Sequence, residues 1–152
     1  MDHQAFTAKL HDALQELEMS LEVPILPGES EVWLEQAASA LQRAGDMLTE
    51  LKQRTERDLV TIQERRPELA HQVARLRAQE QDVRAAFRGL QGQVFDLLQR
   101  LVRAERADGA MSRDLDALGK NGVAFVISVR RLVLATRTWF VEAFDRDLGG
   151  GD

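Results

Sequence analysis

Ten positions in the middle of the chain follow one another at alternating spacings of four and three: Leu69, Val73, Leu76, Glu80, Val83, Phe87, Leu90, Val94, Leu97 and Leu101. That rhythm is the core stripe of a long helix packed in a bundle. The same rhythm recurs on either side of it. Phe6, Leu10, Leu14, Leu17 and Leu21 predict a first helix from about Asp2 to about Glu22, ended by Pro24 and the Pro27–Gly28 pair. A second helix, with Ser30 as its N-cap, carries Leu34, Ala38, Leu41, Leu48, Leu51, Thr55, Leu59 and Ile62 and closes at Arg66–Pro67. The central stripe belongs to a third helix that opens at Pro67 and runs to about Ala107. After a turn at Asp108–Gly109, Ser112 and Asp114 start a fourth helix. It continues to about Leu148 through Leu115, Leu118, Phe125, Val129, Val133, Thr136, Phe140 and Phe144, and Gly149 to Gly151 stop it.

No strand-like alternation appears, and the loops are short enough to make sequential helices antiparallel neighbours. The expected fold is all-α, an antiparallel up-down-up-down four-helix bundle forming one domain over residues 1–152. The first helix reaches roughly 30 Å and the others about 50–60 Å. One end of the bundle is therefore covered by only three helices, where Leu59, Ile62, Leu69, Val73, Phe140 and Phe144 gather. Two outcomes are open there: an apolar interface for a second copy of the chain, or local closure by longer side chains.

Composition narrows the function. Of the 152 residues, 44% are hydrophobic and 30% charged, an ordinary balance for a helical domain with a proper core. The net charge of −5 argues against a general nucleic-acid binder. The absence of cysteine excludes disulfides, thiolate catalysis and iron–sulfur clusters. The start, Met-Asp-His-Gln, lacks the pattern of a signal peptide, and the most apolar run, Val123–Val129, is too short to span a bilayer. A cytoplasmic location with no membrane partner is the expectation.

Glu80 is the anomaly of the central stripe. A carboxylate on a core seam costs several kcal/mol unless it is paired, protonated or metal-bound. Counting from the turns levels it with Thr136 on the fourth helix, with Lys52 or Glu56 on the second and with His3 on the first. Three arrangements follow. Lys52 pairs with Glu80 while Thr136 donates a hydrogen bond; His3, Glu56 and Glu80 form a residual metal site; or Glu80 turns to solvent. Elsewhere, Glu68 and His71 have the Glu-x-x-His spacing of di-iron bundles, but in a single copy off the apolar seam. His11 reads as a surface residue. Trp33 and Trp139 read as packing at helix flanks, and Arg130, Arg131 and Arg137 as a solvated face.

The stretch Pro67-Glu-Leu-Ala-His-Gln-Val-Ala-Arg-Leu-Arg-Ala-Gln-Glu80 resembles the "P-x-L-x-x-x-V-x-R-L-R-x-E-H" of hemerythrin-like proteins of the HHE cation-binding type. Asp2-His3, Trp33-Leu34, Phe140-Val-Glu-Ala-Phe144 and Asp147-Leu-Gly-Gly150 are similar to further short motifs of that family. The resemblance implies an antiparallel four-helix bundle, with iron held by His and Glu in many members, serving oxygen or nitric oxide sensing, iron storage or redox tasks. Carried over residue by residue, the first-helix histidine is His3 and the second-helix carboxylate is Glu56. Histidine positions of that family hold Lys52 and Glu80, and two further ligand positions hold Leu132 and Thr136. A lysine ammonium among them repels a cation. The expectation is a non-enzymatic binding or interaction module that uses no cofactor, whose partner is another protein or a second copy in a homodimer. Two alternatives stand beside it. One is an iron-binding sensor built on His3, Glu56 and Glu80; the other is a small apolar ligand held near Phe125, Val129 and Thr136.

Overall fold

The computed structural model describes the backbone of residues 2–103 and 109–149 and the side chains of 2–103 and 111–144. The expected positions Ala107, Asp108, Gly150 and Gly151 lie outside the described residues. Four helices account for nearly all of the rest, with no strand among the described residues.

Helix α1 spans His3–Glu22, and its N-cap is Asp2, whose carboxylate accepts from the Ala5 N–H at 2.7 Å. Phe6, Leu10, Leu14 and Leu17 face the core. The loop that follows turns through Gly28, whose φ of 81° lies in the left-handed region that suits glycine. The Trp33 indole N–H donates to the Val23 carbonyl at 2.9 Å across this loop, so Trp33 is a buried clamp on the helix connection.

Helix α2 spans Ser30–Arg65. Ser30 is its first helical residue rather than its cap. The Glu29 carbonyl already accepts from the Trp33 N–H at 2.9 Å, which moves the start back by one residue. Pro67–Leu69 then forms a single 3-10 turn before helix α3, Ala70–Val102, so the expected continuous helix from Pro67 begins with a tighter turn. Pro67 brings no N–H, and the Leu69 N–H closes on the Arg66 carbonyl at 3.0 Å. The Arg66 guanidinium donates to Glu68 at 2.8 Å. That bond, reinforced by the backbone N–H of Glu68, holds its carboxyl below the usual carboxylate range.

Helix α4 spans Gly109–Gly149. It starts ahead of the expected Ser112 cap because Met111, Leu115 and Leu118 already bury one helical stripe.

Each helix packs against two others in a ring, α1–α2–α3–α4–α1. The contacts run in opposite directions along every neighbouring pair. Between α1 and α2, Glu16 meets Arg43 and the Arg54 guanidinium lies 4.4 Å above the Phe6 ring. Between α2 and α3, Glu56 meets Arg77 and Thr49 meets Arg84. Between α3 and α4, Arg100 meets Asp114 and Gln93 meets Asn121. Between α4 and α1, Arg130 meets Glu18 and Gly122 lies against Leu21.

The apolar interior is divided in two. A large cluster includes Phe6, Leu17, Leu34, Leu118 and Val126. At the end that α1 does not reach, Leu59, Val73 and Leu76 form a small cluster with Ala135, Trp139 and Phe140 packed on it. Ile62 is buried there as well, whereas Phe144 stays 40% exposed beside Phe140. Phe87 of the central stripe lies against buried Gly45, where a Cβ would overlap its ring, and its centroid is 5.9 Å from that of Phe125.

Candidate functional site

The two clusters are separated at the level of Glu80. A cavity of about 20 Å³ lies there between α2, α3 and α4, lined among others by Lys52, Glu56, Arg77, Glu80, Leu132 and Thr136. Lys52, Glu56, Glu80 and Thr136 are positions that counting from the turns brings to one level, and with Leu132 five of the lining residues stand at ligand positions of the resembled family. The volume suits one water-sized group. It is too small for an organic ligand beside Thr136, and Phe125 and Val129 are tightly buried in the main core.

Glu80 does not turn to solvent: its side chain is 13% exposed. Its ion-pair partner is Arg84, one turn along the same helix, with Nε 2.7 Å from Glu80 Oε1. The expected pairing with Lys52 is therefore replaced. Residues four apart on a helix lie side by side, so Arg84 reaches Glu80 without crossing the bundle. The contact is close but not a directed hydrogen bond, and both atoms are shielded from solvent. A second nitrogen of Arg84 donates to Thr49 Oγ1 at 3.3 Å, which ties the pair to α2. Thr136 lines the cavity and is buried, and its hydroxyl makes no bond to Glu80.

Glu56 is held by Arg77, which donates from Nη2 at 2.5 Å and from Nε at 3.2 Å, a bidentate pair across α2 and α3. Arg77 also donates to Gln63 at 3.3 Å. Lys52 lines the same cavity and makes no ion pair with any described residue. The two carboxylates thus face three cationic groups, Lys52, Arg77 and Arg84, and the local balance is positive.

His3 is exposed at the start of α1 and does not line the cavity, so the structure joins Glu56 with Glu80 and leaves His3 apart. Among the described residues, no group of three or more His, Cys, Asp or Glu is placed to hold a metal ion. The donor set that remains, two arginine-bound carboxylates beside an ammonium, does not fit iron. Each carboxylate already has a guanidinium beside it, and every added positive charge opposes the cation.

His11, Glu68 and His71 all lie on the surface, as their positions off the apolar seams imply. The residues that sequence reasoning missed are Arg84, Arg77 and Thr49. The Glu80–Arg84 spacing was the available signal for the first.

No described helix is long and apolar enough to cross a membrane. No family model, curated protein or solved structure matches the chain.

Proposed function

We propose that this chain is a metal-free relative of the hemerythrin-like bundles that acts in the cytoplasm as a protein-interaction module rather than as an enzyme. The observation that carries the reading is the pairing of both carboxylates at the cavity with arginine: the largely buried Glu80 with Arg84 and the half-exposed Glu56 with Arg77. Each carboxylate has its charge balanced by a side chain of this chain, so the layer is electrostatically complete without a cation.

Interaction is favoured by the apolar surface left outside the bundle. Val60, Val141 and Phe144 are exposed toward the end that α1 leaves to three helices, and Leu134 is exposed at the level of Glu80. The partner is a protein, and a homodimer is the alternative that sedimentation separates from a heteromeric complex.

The test is iron analysis of protein purified without chelator and then incubated anaerobically with ferrous iron. The expected result is far less than one iron per chain. Near-stoichiometric iron that disappears in Glu80→Gln would overturn the reading and restore the iron-binding alternative.

A further inference from the structure

Helix α4 carries a second seam on the side turned away from its core stripe. Ile127, Leu134 and Val141 recur every seven residues and are 42%, 65% and 55% exposed. The intervening positions of the same four-three rhythm are Arg130 and Arg137, and the rhythm ends at Phe144, 40% exposed. The inner stripe of the helix, through Phe125, Val129, Leu132 and Thr136, is buried against the bundle. Two stripes with the same period therefore occupy opposite faces of one helix, and among the described residues only one of them has a partner. An exposed apolar residue every seven positions supplies one of the two core positions of a heptad, and the alkyl stems of Arg130 and Arg137 line the other.

The charges beside this seam select the occupant. Arg130 is held by Glu18 of α1 at 2.6 Å, and its side chain remains 39% exposed. Arg131 and Arg137 are exposed and make no ion pair with any described residue. Glu142 is the acidic residue on the flank toward the far end of the helix. The face is thus basic on a chain whose net charge is −5, so it does not follow from overall composition.

We propose that the outer face of α4 docks an acidic amphipathic helix of another protein, with apolar residues at heptad spacing in the seam and Asp or Glu opposite Arg131 and Arg137. A second copy is disfavoured on this face. Antiparallel pairing of α4 with itself about Leu134 brings Arg130 beside Arg137 of the second copy, and parallel pairing brings Arg131 beside Arg130 of the second copy. A lipid surface is disfavoured by width. The apolar seam is about one side chain across, with Arg130 and Arg137 on one side and Arg131 and Thr138 on the other, whereas an interfacial helix buries a broad apolar face. From Ile127 to Phe144 the seam is about 25 Å long, enough to seat several turns of a partner helix.

The proposal rests on the interaction reading above and fails separately from it, because iron content does not depend on Leu134. The test uses two fluorescent 21-residue peptides in anisotropy titrations against the full chain. One has Leu at the a and d positions and Glu at e and g; the other has Lys in place of each Glu. The expected result is binding of the Glu peptide at least tenfold tighter than the Lys peptide, weakening as salt rises. Leu134→Gln is expected to lower that affinity at least tenfold with an unchanged melting curve. Arg131→Glu combined with Arg137→Glu is expected to reverse the peptide preference. Equal binding of both peptides, or binding of neither, overturns the proposal. So does a dimer in sedimentation that Leu134→Gln dissolves, which assigns the face to a second copy. Retention on vesicles of phosphatidylcholine and phosphatidylserine without peptide binding assigns it to lipid and also overturns the proposal.

Discussion

The two ends of this bundle are built differently. Toward the α1–α2 loop, four helices enclose the large cluster around Leu34, Leu17 and Val126, and the Trp33 clamp closes the helix connection. At the opposite end three helices share a cluster of Leu59, Val73 and Leu76, roofed by Trp139 and Phe140. The layer around Glu80 lies between them. Apolar burial is therefore concentrated at one end, and the smaller cluster meets the larger at a layer where Leu51, Leu59, Leu76 and Leu132 share the cavity with charged side chains. The difference shows that a charged layer can divide a helical core without breaking any helix.

The largest effect should come from emptying the two clusters in turn. Leu34→Ala is expected to cost about 3–5 kcal/mol and Leu59→Ala about 2–3 kcal/mol in denaturant unfolding, since the smaller cluster has fewer neighbours left around a cavity. Native-state hydrogen exchange should show the Leu59 variant opening the three-helix end alone. Equal, global effects of the two substitutions would erase the distinction between the ends.

The next effect probes the layer itself. Removing one member of a buried ion pair costs about 3–5 kcal/mol, and the 27% exposure of Arg84 reduces this to about 2 kcal/mol for Arg84→Leu. Glu80→Leu with Arg84→Leu should unfold within about 1 kcal/mol of wild type, or later, because the two clusters then become continuous. A double variant less stable than the single one would mean that Glu80 serves a further buried group.

Trp33→Phe should cost about 1 kcal/mol by calorimetry, the value of the bond to Val23, and act on the large end only. The smallest effect belongs to Glu68 at the corner of the three-helix end. Its carboxyl titrates below the usual range through Arg66, so the stabilisation exists above the ordinary carboxylate pKa and is lost as pH falls through the lowered value. Glu68→Gln should therefore melt slightly below wild type at neutral pH, with the difference closing in acid.

Much of this architecture was legible in the chain. Val73, Leu76, Val83, Leu90, Val94 and Leu97 are buried as their rhythm requires, and Lys52, Glu56, Glu80 and Thr136 meet at one cavity as levelling from the turns implies. What escaped was local direction. Levelling looks across the bundle and so nominated Lys52 for Glu80, while the nearer cation lay four residues along the same helix. His3 continues the Phe6–Leu10 stripe at about the right height, but as the first residue of α1 it stays exposed and does not line the cavity. The outer seam of α4 was hidden because its apolar residues interleave with the core stripe, and a single periodic count merges the two. A contact such as Phe87 on Gly45 has no periodic signature at all.

That last contact bears on uniqueness of alignment. A four-three seam looks the same to its neighbour after a slide of seven residues, about 10 Å along the axis, so apolar matching alone leaves α2 and α3 several nearly degenerate alignments. Phe87 removes the degeneracy. Its ring needs a position without a Cβ, and on the facing surface of α2 Gly45 is the residue that supplies one. A glycine inside a helix costs roughly 1 kcal/mol relative to alanine. In exchange the notch works as a detent: slipped alignments meet side chains where the ring must go, and one alignment is kept.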